Sequence, residues 1–141
     1  MLIRFPLFAL SLFTIATFGA VAQQAPASSP RKANPGVILT ERDSGSDIDL
    51  ATNTLLIVKL NGNPSTGYAW TVTGDPSPLK LQKASFRKHT TASGAVGASG
   101  TASFQFGASS SGMATLTLVY RRSWEYNMPP MKTFTVRVNV R

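Results

Sequence analysis

Residues 133–140 alternate without a break, with Phe134, Val136, Val138 and Val140 on one side and Thr133, Thr135, Arg137 and Asn139 on the other. A period of two is the mark of a strand with one wet face and one buried face. Ala114, Leu116, Leu118 and Tyr120 repeat the pattern, as do Ala102, Phe104 and Phe106. Such faces leave water by turning toward each other, which predicts an all-β chain folded as an antiparallel β-sandwich of seven to eight strands. Burying each large side chain contributes roughly 1.5–3 kcal/mol before entropy is charged against it. The core therefore stands without cross-links, as it must in a chain of 141 residues with no cysteine.

Strands are expected at 37–40, 48–51, 54–60, 68–72, 79–86, 101–106, 113–120 and 133–140, and no segment keeps a helical period. What precedes them is of a different kind. Arg4 gives a short positive start, residues 5–18 are apolar apart from Ser11, Thr14 and Thr17, and Ala20, Val21 and Ala22 form a small-residue cleavage pattern. Residues 1–22 read as a secretory signal cut after Ala22; an uncleaved membrane anchor is the alternative, although the apolar run is shorter than the ~20 residues of a spanning helix. Residues 23–36, rich in Ala, Ser, Pro and Gln, cannot bury enough to fold and are expected to be a flexible leader to a single domain at 37–141. The expected location is outside the cytoplasm, periplasmic or secreted, with no membrane attachment once the signal is gone.

Loss of Arg4 with the signal lowers the formal charge from +8 to +7, which favours acidic partners. The densest basic group, Lys80, Lys83, Arg87 and Lys88, has little aromatic interleaving and reads as a solvated face, so nucleic acid is not expected. Four of the six carboxylates, Glu41, Asp43, Asp47 and Asp49, cluster near the domain start, away from the long loops or on an edge strand that they would blunt. Enzymatic chemistry finds little support. The single histidine, His89, falls in a loop, and no HExxH, CxxC, P-loop or GxSxG pattern occurs. Neither a catalytic residue, a metal nor a cofactor is expected.

If successive strands from residue 54 run in opposite directions, the connections 61–67, 87–100 and 121–132 emerge at one end. The connections at the other end are short turns. In the first loop Pro64 fixes φ, Gly67 permits a positive φ, and Asn63, Ser65 and Thr66 can bond the local backbone, so a stiff loop feeds the strand of Tyr68 and Trp70. The second carries Gly94, Gly97 and Gly100, whose backbone can approach another surface closely. The third carries Arg121, Arg122, Trp124 and Tyr126 before Pro129 and Pro130, side-chain types enriched at binding hot spots. Each has a plainer reading: a structural turn, a mobile loop, and a tryptophan folded back on the core.

Together these stretches resemble the chagasin family, the immunoglobulin-like inhibitors of papain-type cysteine proteases. Asn63, Pro64, Ser65, Thr66 and Gly67 match the family's NPTTG-type motif, followed by Tyr68, Ala69, Trp70 for its aromatic-Ala-Trp. Gly97, Ala98, Ser99 and Gly100 match its GxGG-type motif, and Arg122, Ser123 and Trp124 its RPW. Ser65 stands for a threonine, Ser99 for a glycine and Ser123 for a proline. The resemblance implies an immunoglobulin-like monomer that occludes a papain-like cysteine protease reversibly and without covalent chemistry. In that reading Thr66 plugs the cleft, the backbone at 97–100 makes contacts, and Trp124 and Arg122 give apolar and charged anchoring. A carbohydrate- or surface-binding sandwich and a structural module are the competing readings.

Overall fold

The computed structural model describes residues 36–90 and 99–141, so the expected signal and leader up to residue 35, and Gly94, Gly97 and Ala98, lie outside the described residues. Among the described residues eight strands form: β1 Val37–Thr40, β2 Asp47–Leu50, β3 Leu55–Gly62, β4 Tyr68–Thr73, β5 Leu79–Lys88, β6 Gly100–Ala108, β7 Gly112–Arg122 and β8 Lys132–Val140. They make two four-stranded sheets, one ordered β1-β3-β6-β5 and the other β2-β8-β7-β4. The alternating residues face inward as expected. Leu116, Leu118, Phe134, Val136 and Val138 of the second sheet are essentially inaccessible, as are Phe106 of β6 and Leu56, Val58 and Leu60 of β3 in the first.

The sandwich is antiparallel through its centre, β3 with β6, β6 with β5, β4 with β7 and β7 with β8. Its first two strands differ: β1 joins β3 and β2 joins β8 in parallel. The short 3₁₀ turn Glu41–Asp43 carries the chain from one sheet to the other, held by Asp43, whose carboxylate accepts from Thr40 N at 2.7 Å and Thr40 Oγ1 at 3.0 Å. This corrects the expected position of part of the acidic group. Asp47 and Asp49 do lie on edge strand β2, bound to Arg137 and Arg141. Glu41, however, sits toward the loop end, where its Oε1 accepts from Asn61 N at 3.2 Å and lies 3.7 Å from Lys132 Nζ.

Register fixes where the loops emerge. Gly62 at the end of β3 pairs with Gly100 at the start of β6, which pairs with Lys88 at the end of β5. In the second sheet Tyr68 opening β4 pairs with Arg122 closing β7, and Tyr120 pairs with Lys132 opening β8. The Tyr120 hydroxyl accepts from Asn63 N at 2.8 Å, which joins the two sheets at that end. All three connections therefore leave one end of the sandwich.

Candidate functional site

The β3–β4 loop is a single 3₁₀ turn, Pro64–Thr66, and its rigidity is built from its own polar atoms. Asn63 Oδ1 accepts from Ser65 N at 3.2 Å and from the Ser65 hydroxyl, and Thr66 Oγ1 donates to Asn63 O at 2.6 Å. Gly67 ends the turn at φ 81°, a left-handed conformation that a side chain would strain. A second constraint falls on the same glycine, since a Cβ there would lie 2.7 Å from Trp124 Cη2. Beneath the loop Tyr120 stacks on Tyr68, with ring centroids 5.4 Å apart, and packs against Trp70 at 5.1 Å. Trp70 Nε1 donates to Asn61 O at 2.9 Å, so the buried indole is satisfied and the loop's base fixed.

The β7–β8 connection is made of two successive turns, closed by Glu125 N donating to Arg122 O and Met128 N donating to Glu125 O, both at 3.1 Å. Ser123 and Trp124 are the central residues of the first turn. Trp124 is not folded into the core: it is 64% exposed and stands against Gly67. Arg122 joins the two loops. Its Nε donates to Thr66 O at 3.1 Å, its Nη1 meets Glu125 Oε1 at 3.2 Å, and its guanidinium lies 4.6 Å over the Tyr68 ring and 5.9 Å from that of Trp124. The cation expected to give charged anchoring, Arg122, is also a strut between the two loops, paired and stacked while its side chain stays 35% exposed.

Between β5 and β6, His89 N donates to Ser99 O at 3.0 Å and closes the base of the second loop. Gly100 is enclosed, since a Cβ on it would collide with Phe86 Cζ and Arg87 O. Its lack of a side chain thus has an internal cause. Asn63, Pro64, Ser65, Thr66, Gly67, Ser99, Gly100, Arg122, Ser123 and Trp124 all lie at one end of the sandwich. His89 is exposed, its Nε2 2.9 Å from Thr101 Oγ1. Among the described residues no group of three His, Asp or Glu could hold a metal ion.

Two features were not legible in the sequence. Met128 and Met131 are exposed beside Trp124 and Tyr126, which makes the β7–β8 loop more apolar than its Arg and Trp alone suggest. An open apolar cleft of about 310 Å³ also runs under the first loop, lined by Pro64, Tyr68, Trp70, Phe86, Phe104 and Tyr120. It exists because β5 is exposed along its length after Leu79, leaving Ala84 and Phe86 facing β4 across a gap. Alternation marks Phe86 as inward but cannot show that nothing fills the space.

Residues 49–138 match a family described as "Chagasin family peptidase inhibitor I42". Amoebiasin-2 of Entamoeba histolytica is 31% identical over 104 residues, covering 74% of this chain and 85% of its own length. Amoebiasin-1 of the same organism is 32% identical over 102 residues, covering 72% and 97%. In three dimensions the chain is similar to the cysteine protease inhibitor EhICP2 from Entamoeba histolytica, with a TM-score of 0.68, 30% identity, and coverage of 74% of this chain and 95% of that one.

Proposed function

The chain belongs to the chagasin family of peptidase inhibitors, and from that premise we propose that the three-loop rim occludes the active-site cleft of a papain-type cysteine protease. The chain is an inhibitor and not an enzyme, as its family is. The observation that carries the reading of the site is the mutual locking of two loops, Arg122 on the Thr66 carbonyl and Trp124 on Gly67. A protease cleaves a chain that it can draw into extended form. The turn at Pro64–Thr66, held by its own hydrogen bonds and braced from the neighbouring loop, resists that extension, so it blocks without being consumed.

In this reading Thr66 enters the cleft, the backbone at 97–100 contacts one wall and exposed Trp124 the other. The complex is reversible, non-covalent and formed by a monomer. Export to the periplasm or the medium, inferred from residues 1–22, is part of the same proposal. The test is titration of papain with the purified domain using a fluorogenic peptide. Native domain inhibits stoichiometrically at high enzyme concentration, and Trp124→Ala weakens inhibition by more than ~1 kcal/mol, or at least about fivefold, with an unchanged melting temperature. Equal inhibition constants for the two proteins would remove Trp124 from the contact; no inhibition of papain-type enzymes by either would remove the proposal.

A further inference from the structure

The two sheets differ in charge in a way that the total of +8 does not reveal. The strands of the β1-β3-β6-β5 sheet carry Lys59, Lys80, Lys83, Arg87 and Lys88 and no aspartate or glutamate. All six carboxylate side chains of the chain lie among the described residues; Glu41 and Asp43 reach the β1 and β3 side of this sheet, where Glu41 accepts from Asn61 N and lines a hollow with Lys59 and Thr101, and the other four are engaged away from it. Glu41 meets Lys132, Asp47 meets Arg137, Asp49 meets Arg141 and Glu125 meets Arg122. Asp43 accepts from Thr40, and Asp75 Oδ1 accepts from Ser77 N at 3.0 Å. Among the described residues no carboxylate pairs with Lys59, Lys80, Lys83 or Arg87, all of which are exposed.

Register places these cations in a pattern. Leu79, Leu81, Ala84 and Phe86 pair with Ala108, Phe106, Phe104 and Ala102, the inward residues of β6. Lys80, Lys83, Ser85 and Arg87 therefore share the outer face, opposite Gly107, Gln105, Ser103 and Thr101. Lys59 lies on the same face, paired with Ser103 from the far side of β6. At a rise of about 3.3 Å per residue, the cations of β5 form a line about 20 Å long. A parallel row of Gln105, Ser103 and Thr101 runs beside it at about 4.8 Å, and Lys59 flanks that row.

We propose that this outer face is a second binding surface, which takes a linear acidic polysaccharide along β5. The chemistry of the two rows selects that class. A line of cations answers carboxylate or sulfate groups repeated along a polymer, and the adjacent hydroxyl and amide side chains answer its sugar hydroxyls. The face has no aromatic side chain for bases to stack on. Only its Arg87 end approaches the rim, at the base of the second loop, so an inhibitor held on an acidic matrix through Lys80 and Lys83 keeps its loops free.

The experiment compares three proteins of the full exported chain: native, Lys59→Gln/Lys80→Gln/Lys83→Gln, and a control of equal net charge, Lys132→Gln/Arg137→Gln/Arg141→Gln. Binding to sodium polygalacturonate, dextran sulfate, neutral dextran and anionic lipid vesicles is measured at low and physiological salt, with melting temperatures and papain inhibition as checks on folding. The native protein and the control bind one or both acidic polymers and not dextran. The β-sheet variant loses at least about tenfold in affinity at unchanged inhibition. Binding to polygalacturonate alone assigns the ligand as a uronate, and to dextran sulfate alone as a sulfate ester. Equal loss in both variants would make net charge the cause and overturn the proposal, as would binding to vesicles only or to neither polymer.

Discussion

Arg122 shows how much one side chain can organise at this rim. It makes a hydrogen bond to the Thr66 carbonyl, an ion pair with Glu125 and a stack on Tyr68, and so spans residues that are 56 positions apart in the chain. Each contact uses a different property of guanidinium: directional donors, charge and a flat face. Arg122→Lys keeps only the charge. We expect it to weaken papain inhibition by about 1–2 kcal/mol, roughly five- to thirtyfold, because the Thr66 turn loses its brace. Far-ultraviolet circular dichroism should not change, and inhibition equal to the native protein's would show that the turn holds itself. The residue types of the turn were readable in advance, since Asn, Ser, Thr and Gly between strands bond locally. That Gly67 also makes room for Trp124 was not, because the tryptophan arrives from another loop.

Among the elements, β5 departs furthest from what its sequence suggests. Alternation gives it an inward and an outward side, yet Leu81 and Phe86 are 47% and 39% exposed, because β5 is an edge strand and β4 does not close over it. A register shift between Leu81 and Lys83 adds to the irregularity. What holds the loop end of β5 in place is close packing over Gly100. In Gly100→Ala the new methyl meets both the Phe86 ring and the Arg87 carbonyl, and the carbonyl cannot swing aside as a side chain would. A loss of about 1–3 kcal/mol in urea unfolding is expected, with weaker inhibition following from displaced strand ends. Unchanged stability would show that β5 shifts freely and that the glycine serves a contact outside the chain. The sequence offered an outside contact or a mobile loop as readings of this glycine, since a glycine in a loop-rich stretch does not announce a neighbour from an adjacent strand.

For the molecule as a whole, the described strands of the sandwich lie from Val37 onward, and they supply the core of Leu56, Phe106, Leu118 and Phe134. The proposed cut after Ala22 leaves all the described strands in place. On the proposal that the chain is exported, mass spectrometry of the protein made in cells is expected to find Gln23 at its start, with inhibition equal to that of the domain alone; a retained hydrophobic start would identify an anchored protein instead. The period-two alternation by itself marked the strands at 101–106, 113–120 and 133–140, their buried faces and, through alternating direction, a common end for three loops. It could do so because side-chain direction in a strand is a local property, set by the backbone at each residue. The tertiary structure alone decided that β1 and β2 join in parallel, that Arg122 braces Thr66, and that strands without an aspartate or glutamate come together in one sheet. Those outcomes depend on which strands become neighbours and in what register, a choice made by packing between residues far apart in the chain.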